Sequence, residues 1–442
     1  MGIIDKYKLI HWLNIRKTSF DVLNNILYGK INKQISEKNL NEIDNYTANL
    51  ISEELNIPLE KIIKNDKVPN YLFKSNQDIQ KTKRPIKRDN IHFYNYYTLP
   101  SPKGYVAPVL IDILCPKEKL PKLNNGHLET AITISLGPND IYARFGKKKN
   151  KANFCKFRVN KDKKTDWIIG DNYFEPSYCL HTYSRATDGP GKILSYTTVS
   201  HIEKIFRDKV NDDSFKNLSK NLSKNYFNNL IYQSLIDKGY DIDYLSKKIK
   251  LSKKKLKSFF NDNSNFPLSI KNKLFKLANL DKRLFQEVIH KEDKIGKYYL
   301  SVKDVTKTIR KFKSYKIASI ASSTRNPDLY GYFIKVNKKI INNPKLDLMD
   351  SNCSHYLVTN GELIFFVIEN NKLKKIICKK GDAIWVGTYI KHSFYGKGSL
   401  TKISDGQNFN YLEKFDLGNL YNNKLTIHRA RKDNQNWGYD KN

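Results

Sequence analysis

Cysteine is scarce in this chain: five in 442 residues, at 115, 155, 179, 353 and 378. The number is odd, the positions are scattered, and no two form a Cys-x-x-Cys pair, which argues against a disulfide framework or a zinc ribbon and fits a reducing compartment. No apolar run is long enough to span a bilayer. The opening "MGIIDKYKLIHWLNIRK" has no uninterrupted apolar core of a secretory signal. A cytoplasmic location with no membrane partner is therefore expected. Arginine is also scarce. The formal charge of +35 comes from 79 Lys and Arg against 44 Asp and Glu, and lysine carries nearly all of it, together with heavy Asn and Ile usage. That trio is what an AT-biased coding genome produces by drift, and lysine lacks the bidentate fork that reads phosphates and bases. The charge alone thus makes a weak case for a nucleic-acid partner.

What is present is globular: 39% hydrophobic and 12% aromatic residues in a chain long enough for two or more domains. Residues 6–66 carry apolar positions at helical spacing and resemble a small helix-turn-helix module, with 67–85 as its linker. From 86 to 207 the period changes to two, with turn residues between short runs such as "TAITISLGP" and "ILSYTTVSHI". Residues 208–296 are again helical after an Asn-rich, charged joint at 208–223, and 297–442 return to strands. "TNGELIFFV" and "KKGDAIWVGTYIKHSF" have the turn–strand–His grammar of a cupin jelly roll. The predicted fold is α+β: a tandem repeat of a helix-turn-helix-like module and a cupin, with modules at 1–85, 86–207, 208–296 and 297–442.

A non-haem iron site needs two histidines and a carboxylate on one face of the metal. The first β module offers His127, Glu175 and His181. An even separation would put Glu175 and His181 on one face of a continuous strand, although Pro176 argues against regularity there. Taken singly, each has an ordinary structural reading as a satisfied polar residue. Cys179 reads as packing and Arg185 as a surface ion-pair partner. His355 and His392 imitate a ligand pair in the second module, but no acidic residue falls at a matching position, so that cupin is expected to be non-catalytic.

Several long strings, "HWLNIRK", "RPIKRDNIHFYNYYTLPSPKGYVAPVLIDILCP", "LPKLNNGHLETAITISLGP", "GDNYFEPSYCLHTYS" and "NWGYD", together resemble the 2-hydroxyethylphosphonate dioxygenase family. These are non-haem iron enzymes related to methylphosphonate synthases and the fosfomycin-forming epoxidase. The resemblance runs nearly end to end and is densest from 84 to 200. It implies Fe(II) held by His127, Glu175 and His181. It further implies a substrate phosphonate held by Arg88, Tyr96 and Asn124, and Lys17 reaching the site from the N-terminal module, with Lys17 and Glu175 as catalytic residues. A phosphonate dianion suits such donors: a guanidinium, an ammonium, a phenol and an amide. In this family the helical modules serve as scaffold and active-site wall.

The activity implied is cleavage of the carbon–carbon bond of 2-hydroxyethylphosphonate by O2, giving hydroxymethylphosphonate and formate with no 2-oxoglutarate or nicotinamide. Two alternatives remain. A methylphosphonate synthase would convert the same substrate to methylphosphonate and CO2, and that branch resembles the first with glutamine in place of the acidic ligand. No Gln occurs between residues 81 and 232, which favours the dioxygenase. A helix-turn-helix/cupin transcription regulator is the lesser alternative. The resemblance leaves open a homo-oligomer, and whether Lys17 serves its own chain or a neighbour's.

Overall fold

The computed structural model describes residues 4–433 except 66, 89, 120, 149–150, 161–166, 201–202, 204–209, 222–225, 262–266, 283–297, 325, 406 and 408–409. The string "NWGYD" lies outside the described residues. Two compact units emerge, 1–70 with 409–442, and 71–408. Among the described residues no helix is long and apolar enough to cross a membrane.

The first unit is helical. Asp5 caps helix Lys6–Arg16 by accepting from the Tyr7 and Lys8 amides at 3.0 and 3.1 Å, and Asp44 caps Asn45–Glu54 through Thr47. Helix Phe20–Ile26 lies between them in sequence. Leu9, Leu13, Leu23, Ala48, Ile51 and Ile62 form the core, as their helical spacing predicts. The C-terminal helices Tyr411–Gly418 and Asn423–Arg431 belong to this unit and not to the second β module. Asp433 ties the tail in, accepting from Arg429 at 2.8 Å and lying 3.3 Å from His11.

The second unit holds both β modules. The first contributes β2 (Arg84–Arg88), β3 (Ile91–Thr98), β4 (Val109–Ile113), β5 (Ala131–Pro138), β6 (Ile141–Lys148), β7 (Lys151–Phe157), β8 (Asn172–Glu175), β9 (Leu180–Arg185) and β10 (Gly191–Thr197). Ahead of them stands β1 (Tyr71–Lys74). The second contributes β11 (Tyr298–Leu300), β12 (Arg310–Lys311), β13 (Tyr315–Ser319), β14 (Tyr330–Lys338), β15 (Cys353–Glu369), β16 (Lys372–Lys379), β17 (Ala383–Val386) and β18 (His392–Asp405). Sheet order is β11-β8-β5-β10-β4-β3-β2 with β7-β6-β9 in the first barrel. In the second it is β1-β17-β15-β18-β14-β13-β12, with β16 on β15.

The modules exchange strands. β1 pairs with β17 of the second barrel, Tyr71 opposite Val386, and β11 pairs with β8 of the first, Leu300 opposite Asn172. Each exchanged strand leads into a short helix with the same cap. Ser75 accepts from the Asp78 amide at 3.1 Å, and Ser301 from the Asp304 amide at 3.2 Å. Asn76 then donates to Asp382 Oδ1 at 2.6 Å, and Val302 to Asp171 Oδ1 at 2.6 Å, so each helix start is anchored to the opposite barrel. The stretch expected to be a linker, 67–85, is therefore built structure from Tyr71 on. A single apolar cluster runs through both barrels, joining Ile132, Ile134, Phe174, Leu194 and Tyr196 to Val305, Ile320, Phe333, Leu357 and Ile403.

Between the two barrels in sequence come helices Tyr226–Ile236, Ile242–Ile249, Lys253–Asn261 and Leu268–Ala278, packed around Ile231, Leu245, Leu256, Phe260 and Leu274. The expected joint also holds a helix, Asp212–Asn221, whose first turn carries Asp212 and Asp213, where carboxylates favour the positive end of the helix dipole.

Candidate metal centre

His127, Glu175 and His181 offer ligand atoms all within 4.8 Å of one another, and they form the one such group among the described residues. They come from three places. His127 follows Gly126 in the loop before β5, Glu175 ends β8 and His181 is the second residue of β9. Glu175 and His181 do not share a strand. A turn at Pro176–Cys179 separates them, with Tyr178 in the left-handed region at φ 55°, and β8 and β9 belong to different sheets. Proline lacks the amide a ladder needs, so β8 stops there.

The Tyr178 amide donates to the His127 carbonyl at 2.6 Å, closing the loop of one ligand over the turn between the other two. Gly126 makes this approach feasible. It sits at φ +71°, and a Cβ there would lie 2.8 Å from the Tyr178 carbonyl carbon. Gly126→Ala is expected to lower metal affinity by about 10- to 100-fold through displacement of His127. Calorimetric titration of the apo-protein with cobalt(II) checks this.

Each candidate ligand is held by a neighbour. The Nδ1 of His127 lies 2.7 Å from the Glu129 carbonyl; donating there leaves Nε2 with a free lone pair. Asn124 clamps His181: Oδ1 accepts the His181 amide at 2.8 Å, and Nδ2 lies 2.9 Å from Nε2. The hydroxyl of Tyr173 donates to Glu175 Oε2 at 3.1 Å, and Tyr183 contacts the Tyr173 hydroxyl. Since a carboxylate only accepts, the proton order runs Tyr183 to Tyr173 to Glu175. Burial foremost pushes both phenols well above their ordinary range, with the Glu175 charge adding to it, so both stay donors.

Glu175 Oε1 tests whether a cation fits. It is buried, 2.6 Å from His181 Nδ1 and 3.9 Å from His127 Nε2, and accepts no hydrogen bond from either. A buried carboxylate oxygen without a donor, flanked by two imidazoles, suits a divalent ion.

The remaining expected residues are placed as follows. Arg88 ends β2 with its guanidinium 5.8 Å from the Phe93 ring centre. Tyr96 on β3 is half-buried, and burial foremost raises its hydroxyl pKa while the Arg88 and Arg84 charges lower it. This hairpin reaches the His181 strand through Tyr94, whose ring packs edge-on to Tyr96 at 6.1 Å and whose hydroxyl donates to the Tyr183 carbonyl at 3.0 Å. Lys17 belongs to the other unit, as the left-handed C-cap (φ 56°) of the first helix. Cys179 is buried packing. Arg185 holds the following loop through the Asp188 carbonyl. Tyr173 and Tyr183 were hidden from sequence reading, because a tyrosine on an alternating strand looks like ordinary core.

In the second barrel burial holds His355 down to a pKa of about 3 and His392 to about 4, so both imidazoles are neutral near pH 7.

Two jelly-roll barrels, one carrying two histidines and a carboxylate on adjoining elements, define a two-cupin metalloprotein. The model of the 2-hydroxyethylphosphonate dioxygenase cupin-like domain matches residues 80–198. The 2-hydroxyethylphosphonate dioxygenase of Streptomyces viridochromogenes is 32% identical over 447 positions, covering 99% of each chain. The chain belongs to the 2-hydroxyethylphosphonate dioxygenase family. It is also similar to a solved structure of PhpD with cadmium, complexed with hydroethylphosphonate. That likeness is 30% identical with a TM-score of 0.82, covering 98% of this chain and 100% of the other. A Streptomyces albus HEPD with 2-hydroxyethylphosphonate and Fe(II) bound shares the fold at 13% identity and a TM-score of 0.76, over 98% of both chains.

Proposed function

We propose that this chain is an iron(II)-dependent dioxygenase that cleaves 2-hydroxyethylphosphonate with O2 to hydroxymethylphosphonate and formate. The observation that carries it is the His127–Glu175–His181 group with, at its centre, a buried carboxylate oxygen that accepts no hydrogen bond. His127, Glu175 and His181 would hold Fe(II), a donor set that suits a non-haem ferrous ion, and the iron would supply the redox chemistry.

The protein's own residues would do the rest. Tyr173 ties up Glu175 Oε2 and keeps Oε1 for the ion. The Glu129 carbonyl fixes the His127 tautomer. Arg88, Tyr96, Asn124 and Lys17 are the proposed phosphonate set. Arg88 supplies a permanent charge, Tyr96 a phenol donor and Asn124 an amide already beside His181. Lys17 is the proposed catalytic cation, on the strength of the family resemblance. A catalytic cupin over 86–207, with β11 from the second half pairing to β8, fits this assignment. A reducing cytoplasm suits five free thiols and a ferrous site.

Glu175 as the acidic ligand favours the dioxygenase over the methylphosphonate synthase. Phosphorus NMR of 2-hydroxyethylphosphonate treated with the iron(II)-loaded protein in air tests the proposal. Hydroxymethylphosphonate with formate is the expected product. Methylphosphonate would reassign the chain to the synthase branch, and neither product would end the proposal.

A further inference from the structure

The second barrel repeats the first closely enough to match residues one by one. Ala131 pairs with Glu175 in the first barrel, and Ser354 pairs with Val386 in the second. The Ser135 amide donates to the Asp171 carbonyl at 2.9 Å, and the Val358 amide to the Asp382 carbonyl at 2.9 Å. Tyr178, left-handed at φ 55°, donates to the His127 carbonyl at 2.6 Å; Tyr389, at φ 57°, donates to the Asp350 carbonyl at 2.7 Å. Three residues after each tyrosine stands a histidine. Its Nδ1 lies 3.0 Å from the Cys179 carbonyl for His181, and 2.9 Å from the Ile390 carbonyl for His392. Glu175 thus corresponds to Val386, His181 to His392 and His127 to Asp350. His355 takes the place of Ile132 and has no part in this group.

Two of the three ligand positions still carry groups able to bind a metal. What differs is the space before them. Ser195 pairs with Thr133 on the first barrel's β10 and β5; the matching pair on β18 and β15 is Lys402 and Tyr356. Two small hydroxyl side chains are replaced by two long ones. The Lys402 ammonium contacts Asp350, its side chain is 7% exposed, and it lies 5.6 Å from the ring centres of both Tyr330 and Tyr332. The Tyr356 hydroxyl lies 2.8 Å from His392 Nε2, the nitrogen that Asn124 faces on His181.

We propose that the second barrel is a former metal site whose resident cation is now the Lys402 ammonium. One positive charge on the chain balances Asp350, and Tyr356 satisfies His392. Val386 has replaced the carboxylate that a divalent ion would need. An ammonium beside Asp350 repels any incoming divalent cation, so the barrel stays metal-free with two ligand groups in place.

The test is the number of cobalt(II) ions bound per chain, read by equilibrium dialysis and by the visible absorption of the bound ion. Work in the E175A background silences the first site. There, V386E/K402A should bind one ion, whereas V386E with Lys402 retained should bind none. A folded V386E/K402A chain that binds no cobalt overturns the proposal, as does binding at this barrel with Lys402 in place. Should the double variant fail to fold, K402A alone retains Asp350 and His392. It should then show a weaker cobalt-binding event that is missing from the E175A parent; identical titrations of the two would equally overturn it.

Discussion

Replacing Glu175 with alanine is expected to lower oxygen consumption with 2-hydroxyethylphosphonate by at least about a thousandfold, since the only anionic ligand of the site is lost. Oxygen-electrode traces and iron content measured on the same sample check this. The physical reason lies in the geometry of Oε1, which is buried between two imidazoles and accepts no hydrogen bond. Without that charge, two neutral histidines must hold Fe(II) alone, and affinity falls with activity. Glu175→Gln is the informative companion. It keeps the side chain's shape while removing the charge, and with one oxygen it must turn its NH2 towards the ion site if it is to accept from Tyr173. A shift of the residual product towards methylphosphonate would show that the ligand's charge steers the branch point.

A chain ending at residue 207 is expected to lack a folded metal site, although it contains His127, Glu175 and His181. β8, which ends in Glu175, has β5 on one edge and β11 on the other, and β11 comes from beyond the cut. The cut also exposes Ile132, Ile134, Phe174, Leu194 and Tyr196, which pack into the cluster shared with the second barrel. At ~1.5–3 kcal/mol for each large apolar side chain, the loss rivals the ~5–15 kcal/mol that keeps a typical domain folded. Circular dichroism and cobalt titration of the fragment test this; a folded, metal-binding fragment would contradict it. Co-expression with residues 208–442 should restore both signals.

The sequence disclosed the candidate ligands more readily than the scaffold around them. His127, Glu175 and His181 stand in strings long enough to be recognised, and the change from helical to alternating period marked both β modules. β1 was missed because "YLFK" is four residues long and its partner Val386 lies more than 300 positions away. No local pattern can announce such a pairing. The C-terminal helices were absorbed into the second cupin for a similar reason: Asp433 meets His11, 422 positions away, only in three dimensions. Asp350 escaped notice because the repeat is kept in backbone hydrogen bonds while the side chain has changed. Spacing hid it further: 48 residues separate His127 from Glu175, but 36 separate Asp350 from Val386.

The exchanged strands bear on how such a chain can change over generations. Once each barrel had come to close its sheet with a strand from the other, neither half could be discarded, shuffled or secreted on its own. The fusion became a ratchet. A second barrel that had lost its ion could still not be deleted, because β11 seals the edge of the strand that ends in Glu175. Selection on the first barrel's chemistry therefore preserves the second barrel's fold while leaving its interior free to drift, and a buried lysine is the kind of occupant such drift can install.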